Sequence, residues 1–206
     1  MPDLSQVQPT AFNCQGGLVL NRSTFMMQPG EALELQNFEP DIEGGYRRIN
    51  GFSKYVSAVV PQTSSSSEKV LMVATFGDLV VAARGEKIFS ATAGSSSWTE
   101  RDTGRTSAGT YAFERYNFDG NDKLIVVDGA NAPTFFNSAM SATDVSNSDV
   151  AGSKFVTAFK SHMFYAGKSS TPQTLVFSQP FDEDAFSSGS GAGSIKVDDV
   201  ITGLKV

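Results

Sequence analysis

The stretch "KVLMVATFGDLVVAARGEKIFSATAGSSSWTERDT", residues 69–103, decides the fold class. Its apolar runs are VLMVATF, LVVAA and IFSATA, and the joins between them are as short as Gly-Asp and Gly-Glu-Lys. Loops this short connect antiparallel neighbours, because a parallel return needs a crossover connection of roughly a dozen residues or more. A fourth run, WTERDT, follows Gly-Ser-Ser-Ser, so the stretch predicts a meander of four antiparallel strands.

The rhythm recurs downstream. Residues 109–138 give a strand, a turn at Asp119-Gly120-Asn121-Asp122, the run KLIVVDG, a second turn and PTFFN. Residues 153–179 set KFVTAFK against HMFYAG and TLVFS. Leu79, Leu124 and Met163, at the second strand of each unit, lie 45 and 39 residues apart. A period of roughly 40 to 50 residues with about four strands is the spacing of propeller blades. The expected fold is therefore all-β, made of short antiparallel four-strand meanders in a partial β-propeller, with a β-sandwich of similar strand count as the alternative. Three units do not close a ring of about four to eight blades, so the chain is expected to form an arc completed by further sequence or another chain. The closing runs SIKV and VITGLKV read as strands of an incomplete unit.

Ahead of this β domain, expected over residues 70–206, lie a Ser-rich loop at 61–69 and an N-terminal arm at 1–60. Residues 1–14 are polar, and Pro2 and Pro9 oppose early helix, so an extended arm is expected. A short strand is expected within 16–22. After Pro29 and Gly30, "EALELQNF" sets Ala32, Leu35 and Phe38 at helical spacing, with Glu31 and Glu34 where a helix dipole favours negative charge. That predicts one short helix of about two turns, too short to stand without packing. Asp41, Gly44, Gly45, Asn50 and Gly51 mark tight turns beyond it.

A formal net charge of −6 and a pI near 4.8 argue against sequence-independent attraction to nucleic acid. The single cysteine, Cys14, leaves no pair for an internal disulfide and no cysteine-based zinc site, and reads as a small buried apolar residue. No apolar run approaches the roughly 18 residues of a membrane span, and no secretion signal opens the chain, so a soluble protein without membrane insertion is expected. Asn21-Arg22-Ser23 has the form of a glycosylation acceptor but lacks a secretory route.

The candidate chemistry is sparse. Asp119, Asn121 and Asp122 offer oxygen ligands, but the twelfth position from Asp119 is Ala130 rather than the Glu of a calcium loop, so a hairpin turn is the expected role. Asp182, Glu183 and Asp184 lie between Phe181 and Phe186; carboxylates so grouped can serve acid–base chemistry, yet a solvated loop is the simpler reading. His162 is the only histidine and no Gly-x-Ser-x-Gly turn accompanies it. "GDLVVAARGEK" lacks phosphate-loop spacing, and Trp98 reads as a cap on the β core. Arg47 and Arg48 are expected to be solvated or to pair with Glu39, Asp41 or Glu43. No catalytic, metal or cofactor constellation assembles, so a non-enzymatic chain is expected. The competing classes are a carbohydrate-binding β module using Trp98, Phe181 and Phe186 as platforms, and a hydrolase using the 182–184 acids.

The layout of residues 16–52, "GGLVLNRSTFMMQPGEALELQNFEPDIEGGYRRINGF", resembles the N-terminal segment of tail nozzle proteins (tail tubular protein B) and related virion structural proteins of tailed bacteriophages. The places that carry the resemblance are Gly16 and Gly17, Pro29 and Gly30 leading to the short helix, Asn37 and Phe38, the acidic turn from Asp41 to Gly45, and Arg47 and Arg48 leading to Gly51. Residues 175–204, "LVFSQPFDEDAFSSGSGAGSIKVDDVITGL", look like that family's blade segment, a strand ending in Ser, an acidic-aromatic loop and a strand pair. Members are several times longer, with a complete propeller-like core and inserted platform domains. The resemblance implies a structural protein of the virion tail, assembled in the host cytoplasm. It implies a homo-hexameric ring that contacts other tail proteins such as adaptor and fibre, with DNA only in transit and no cofactor. On this reading residues 1–52, with Gly16, Gly17, Pro29, Gly30, Leu35, Asn37, Phe38, Arg47, Arg48 and Gly51, are the assembly segment, ordering against a neighbour that offsets the entropy of fixing it.

Overall fold

The protein is seen in a computed structural model that describes residues 16–42, 45–63, 68–107 and 109–206; the expected arm at 1–14, Cys14 and the serine run lie outside these residues. Two units are distinct, one ending at Ser53 and one beginning at Lys54.

In the first unit, β1 (Gly17–Leu18) pairs in parallel with β2 (Glu31–Ala32), and β3 (Phe38–Pro40) pairs antiparallel with β4 (Tyr46–Arg48). The helix expected over "EALELQNF" does not form: both of its ends are strands. The reason is local. Gly30 and Asn37 hold φ of 92° and 61°, left-handed conformations that break a helix on either side. Pairing of Glu31 and Ala32 with Gly17 and Leu18 of β1 then fixes the start of the stretch as extended backbone. The described residues hold only three-residue 3-10 turns, at Thr24–Met26 and Ser188–Ser190.

The second unit consists of three antiparallel four-stranded sheets in simple meander order. Sheet 1 comprises β5 (Val70–Phe76), β6 (Leu79–Arg84), β7 (Lys87–Thr92) and β8 (Thr99–Thr103). Sheet 2 comprises β9 (Ala112–Asn117), β10 (Asp122–Val127), β11 (Thr134–Phe136) and β12 (Ala142–Asp144). Sheet 3 comprises β13 (Phe155–Phe159), β14 (His162–Ala166), β15 (Thr174–Phe177) and β16 (Gly193–Lys196). Two expectations change here. The SIKV run is the fourth strand of sheet 3, paired through Leu175 and Ile195, so this unit is complete; VITGLKV is not a strand. The Ala142–Asp144 strand completes sheet 2 where the sequence showed only three runs, because at three residues it carries no readable alternation.

How the sheets stack follows from the two-residue period. Met72, Ala74, Phe76, Val81, Ala83 and Ile88 lie on one face of sheet 1 and bury against Leu124, Val126 and Phe136 of sheet 2. The alternate residues of β10, Ile125 and Val127, face the other way and bury with Val156, Met163 and Tyr165 of sheet 3. Sheet 2 is therefore covered on both faces, which explains why β10 reads as an unbroken apolar run, LIVV. The first strands, β5, β9 and β13, lie side by side. Face-to-face stacking with inner strands gathered together is a blade arrangement; in a two-sheet sandwich one face of each sheet meets solvent. Residues 54–63, ahead of sheet 1, are tied to it: Gly94 donates to the Tyr55 carbonyl at 2.7 Å, and Trp98 Nε1 donates to the Ala58 carbonyl at 3.0 Å.

Candidate assembly surface

Glycines set the backbone of residues 16–53. A Cβ on Gly16 would stand 2.7 Å from the Glu31 amide nitrogen and push β1 off β2, while Gly17 holds φ of +90°, where any side chain strains the backbone. Gly16 donates to the Gly30 carbonyl at 3.2 Å and Val19 to that of Ala32 at 2.9 Å. The Glu31 carboxylate takes the Gln28 amide at 2.9 Å and the Arg22 guanidinium at 3.0 Å, which fixes the turn containing Pro29. In the β3–β4 hairpin, Arg47 stands opposite Glu39 and donates to it at 2.7 Å, while Ile49 donates to the Asn37 carbonyl at 2.9 Å. Arg48, opposite Phe38, lines a hollow of about 540 Å³ with Asn37, Ile49 and Phe52. Gly51 borders the same hollow and has open space where a Cβ would stand. Leu35 is half-buried.

The structure thus gathers Gly16, Gly17 and Gly30 at one strand pair, and Asn37, Phe38, Arg47 and Arg48 at another. What sequence reasoning missed is the burial pattern. Among the described residues of this unit only Gly30 is buried, while Leu20, Phe25, Met26, Ile42 and Phe52 are exposed, Phe25 by 98%. The signal was legible as many large apolar residues between polar turns with no unbroken run among them. The described residues of this segment thus combine a shaped backbone and exposed apolar side chains with no core of their own.

The other candidate groups are structurally engaged. Glu183 is buried and receives Lys123 Nζ at 2.7 Å; the Tyr165 hydroxyl donates to the Glu183 carbonyl at 2.9 Å. Asp184 accepts the Ser146 amide at 2.9 Å and Asp182 the Asp184 amide at 3.0 Å. Glu183 thus ties the loop between β15 and β16 to sheet 2, Asp184 ties it to the segment after β12, and Asp182 bonds within the loop itself. Burial opposes the Lys123 charge, but the Glu183 carboxylate outweighs it and raises the Lys123 pKa. Between sheets 1 and 2 a buried cation, Arg105, reaches Asp102 at 2.6 Å, Asp128 at 3.5 Å and the Ala132 carbonyl at 2.9 Å. Burial works against the Asp128 carboxylate, yet hydrogen bonds from Asn131 and Ala130 and the Arg105 charge leave its pKa lowered.

Asp119 accepts the Asn121 amide at 3.1 Å in its hairpin turn, and no group of three metal-capable side chains occurs among the described residues. His162 Nδ1 donates to the Ser178 carbonyl at 2.6 Å. Of the three aromatic platforms considered for a glycan, Phe186 packs on Tyr165 at 5.9 Å between centroids, Trp98 is held by Ala58, and only Phe181 projects into solvent. No helix among the described residues is long and apolar enough to cross a membrane. Compared with known protein families and with curated proteins, the chain matches none.

Proposed function

We propose that the chain is a non-enzymatic structural subunit of a bacteriophage tail, a nozzle- or tube-type ring component acting in tail assembly and DNA passage. The observation that carries this reading is the coreless first unit: Leu20, Phe25, Met26, Ile42 and Phe52 are exposed on a backbone shaped by Gly16, Gly17 and Gly30. Apolar surface of that kind gains its stabilisation from a neighbour, at about 25 cal/mol per Å² covered. The layout of the same residues is what resembles the nozzle family. The partners are further copies in a ring and other tail proteins such as adaptor and fibre. DNA passes without being held, since a chain of net charge −6 offers phosphate no general attraction. The site of action is the virion tail, reached by assembly in the host cytoplasm without membrane insertion.

The test is antibody labelling of purified phage particles in the electron microscope, with serum raised against this chain. Label at the tail supports the reading. Unlabelled particles, together with a blank blot of disrupted particles, remove it.

A further inference from the structure

An asparagine followed by glycine carries a reaction of its own. The backbone nitrogen of the glycine can attack the side-chain carbonyl carbon of the asparagine, and the absence of a Cβ leaves both the approach and the backbone rotation it needs unobstructed. Asn50-Gly51 is the only Asn-Gly pair in the sequence. The fold leaves it open. Both residues are exposed and lie outside any strand, just beyond β4, and a Cβ on Gly51 would meet nothing within 4 Å. Ile49 donates its backbone N–H to the Asn37 carbonyl at 2.9 Å, and the next backbone N–H along the chain to donate belongs to Ser57. Among the described residues, no hydrogen bond holds the Gly51 N–H or the Asn50 side chain.

Other asparagines are held. Asn137 and Asn147 each precede serine, a small residue that obstructs little. The Asn137 side-chain carbonyl accepts the Ala139 and Ser141 amides, both at 3.0 Å, and that of Asn147 accepts the Asp149 amide at 2.7 Å. Asn131 donates to Asp128 at 2.7 Å and Asn117 to Asp122 at 3.0 Å. Side chains committed to a turn in this way are not free to swing onto the following backbone nitrogen.

We propose that Asn50-Gly51 is a modification site at which the folded chain deamidates spontaneously in water. The Gly51 nitrogen gives its proton to solvent base and bonds to the Asn50 side-chain carbon. The bond from that carbon to Nδ2 breaks, and ammonia leaves. Water then opens the resulting five-membered imide at one carbonyl or the other, yielding aspartate, or isoaspartate with the backbone routed through Cβ. Water enters, ammonia departs, and no oxidant or enzyme takes part. Either product sets a carboxylate in the hollow lined by Arg48 and Phe52, and makes the chain one unit more negative than its formal −6. Isoaspartate also lengthens the backbone by one methylene immediately ahead of Gly51 and Phe52. Fresh and aged chains therefore present different hollows, a property independent of the tail reading.

The experiment ages the full chain at neutral and mildly alkaline pH beside a free peptide of residues 47–53. Peptide mapping by mass spectrometry follows each asparagine, and labelling by an isoaspartyl methyltransferase reports the rearranged product. The expected result is conversion of Asn50 at a rate comparable to that of the peptide, faster at the higher pH, with methyltransferase labelling at the same position and Asn137 and Asn147 unchanged. Gly51→Ala, at a position with room for the methyl group, slows conversion several-fold, and Asn50→Gln removes the labelling. Asn50 intact after the peptide has converted, Asn137 or Asn147 converting as fast as Asn50, or a Gly51→Ala chain converting at the parent rate would each overturn the proposal.

Discussion

Single residues carry the joins between sheets. Leu124 and Ile125 are neighbours in β10, yet one is buried against sheet 1 and the other against sheet 3. Truncating either to Ala is expected to cost about 2–5 kcal/mol in denaturant unfolding, and the two losses should be comparable. A sandwich would spare the residue facing solvent, so a negligible loss at one of the two positions would contradict the stacking. Arg105 is the second such residue. Replacing it with Met strands Asp128 and Asp102 without their cation and is expected to destabilise the fold by about 3–5 kcal/mol. The sign for Asp128 follows from its lowered pKa. Its contribution is present above the unfolded-state value of about 3.9 and is lost as pH falls through the lower folded value. Asp128→Asn should therefore flatten the acid limb of a plot of melting temperature against pH, while an unchanged limb would remove Asp128 from the account.

At the scale of elements, the strands were legible where they alternate or run apolar between tight turns. Val70–Phe76, Leu79–Arg84 and Lys87–Thr92 announce themselves because hairpins joined by two or three residues leave no other connection. Ala142–Asp144 did not, since three residues with exposed side chains give no pattern. The stretch Glu31–Phe38 misled because Ala32, Leu35 and Phe38 stand at helical spacing; pairing with Gly17–Leu18, a long-range event, overrides that spacing, and Gly30 and Asn37 are the local marks of the outcome. For the candidate surface, the glycines and the Arg47–Glu39 pairing were readable from sequence, but exposure was not, because burial depends on what the rest of the chain leaves uncovered. The join between sheets 2 and 3 has a pH signature of its own. Burial raises the Tyr116 and Tyr165 phenols well above their ordinary range, and pushes Tyr111, between sheets 1 and 2, up to about 12. A raised phenol stabilises the fold fully below its unfolded value of about 10 and ceases to do so as pH climbs through the folded value. Tyrosinate absorbance from Tyr116 and Tyr165 should thus rise together with the loss of β circular dichroism above about pH 10. Ionisation of both while the sheet signal persists would contradict their burial.

For the whole molecule, the two units are built on different principles. The sheets from residue 70 onward bury Val81, Ile88, Leu124, Ile125 and Met163 completely, whereas the first unit exposes Phe25, Ile42 and Phe52 almost completely. Phe52→Ser should accordingly shift the melting temperature of the isolated chain by less than the error of the scan, an effect within about 0.5 kcal/mol, while reducing its recovery in tail assemblies. A large loss of monomer stability would show that Phe52 already has a partner within the chain. The central claim is that residues 54–206 carry their own core and residues 16–53 do not, and hydrogen–deuterium exchange on the isolated full chain tests it most directly. The account predicts that amides of Leu124–Val127 and Met163–Ala166 exchange only with global unfolding, while those of Gly17–Leu18, Glu31–Ala32 and Tyr46–Arg48 exchange at close to unfolded-chain rates. Equal protection in the two sets would contradict it.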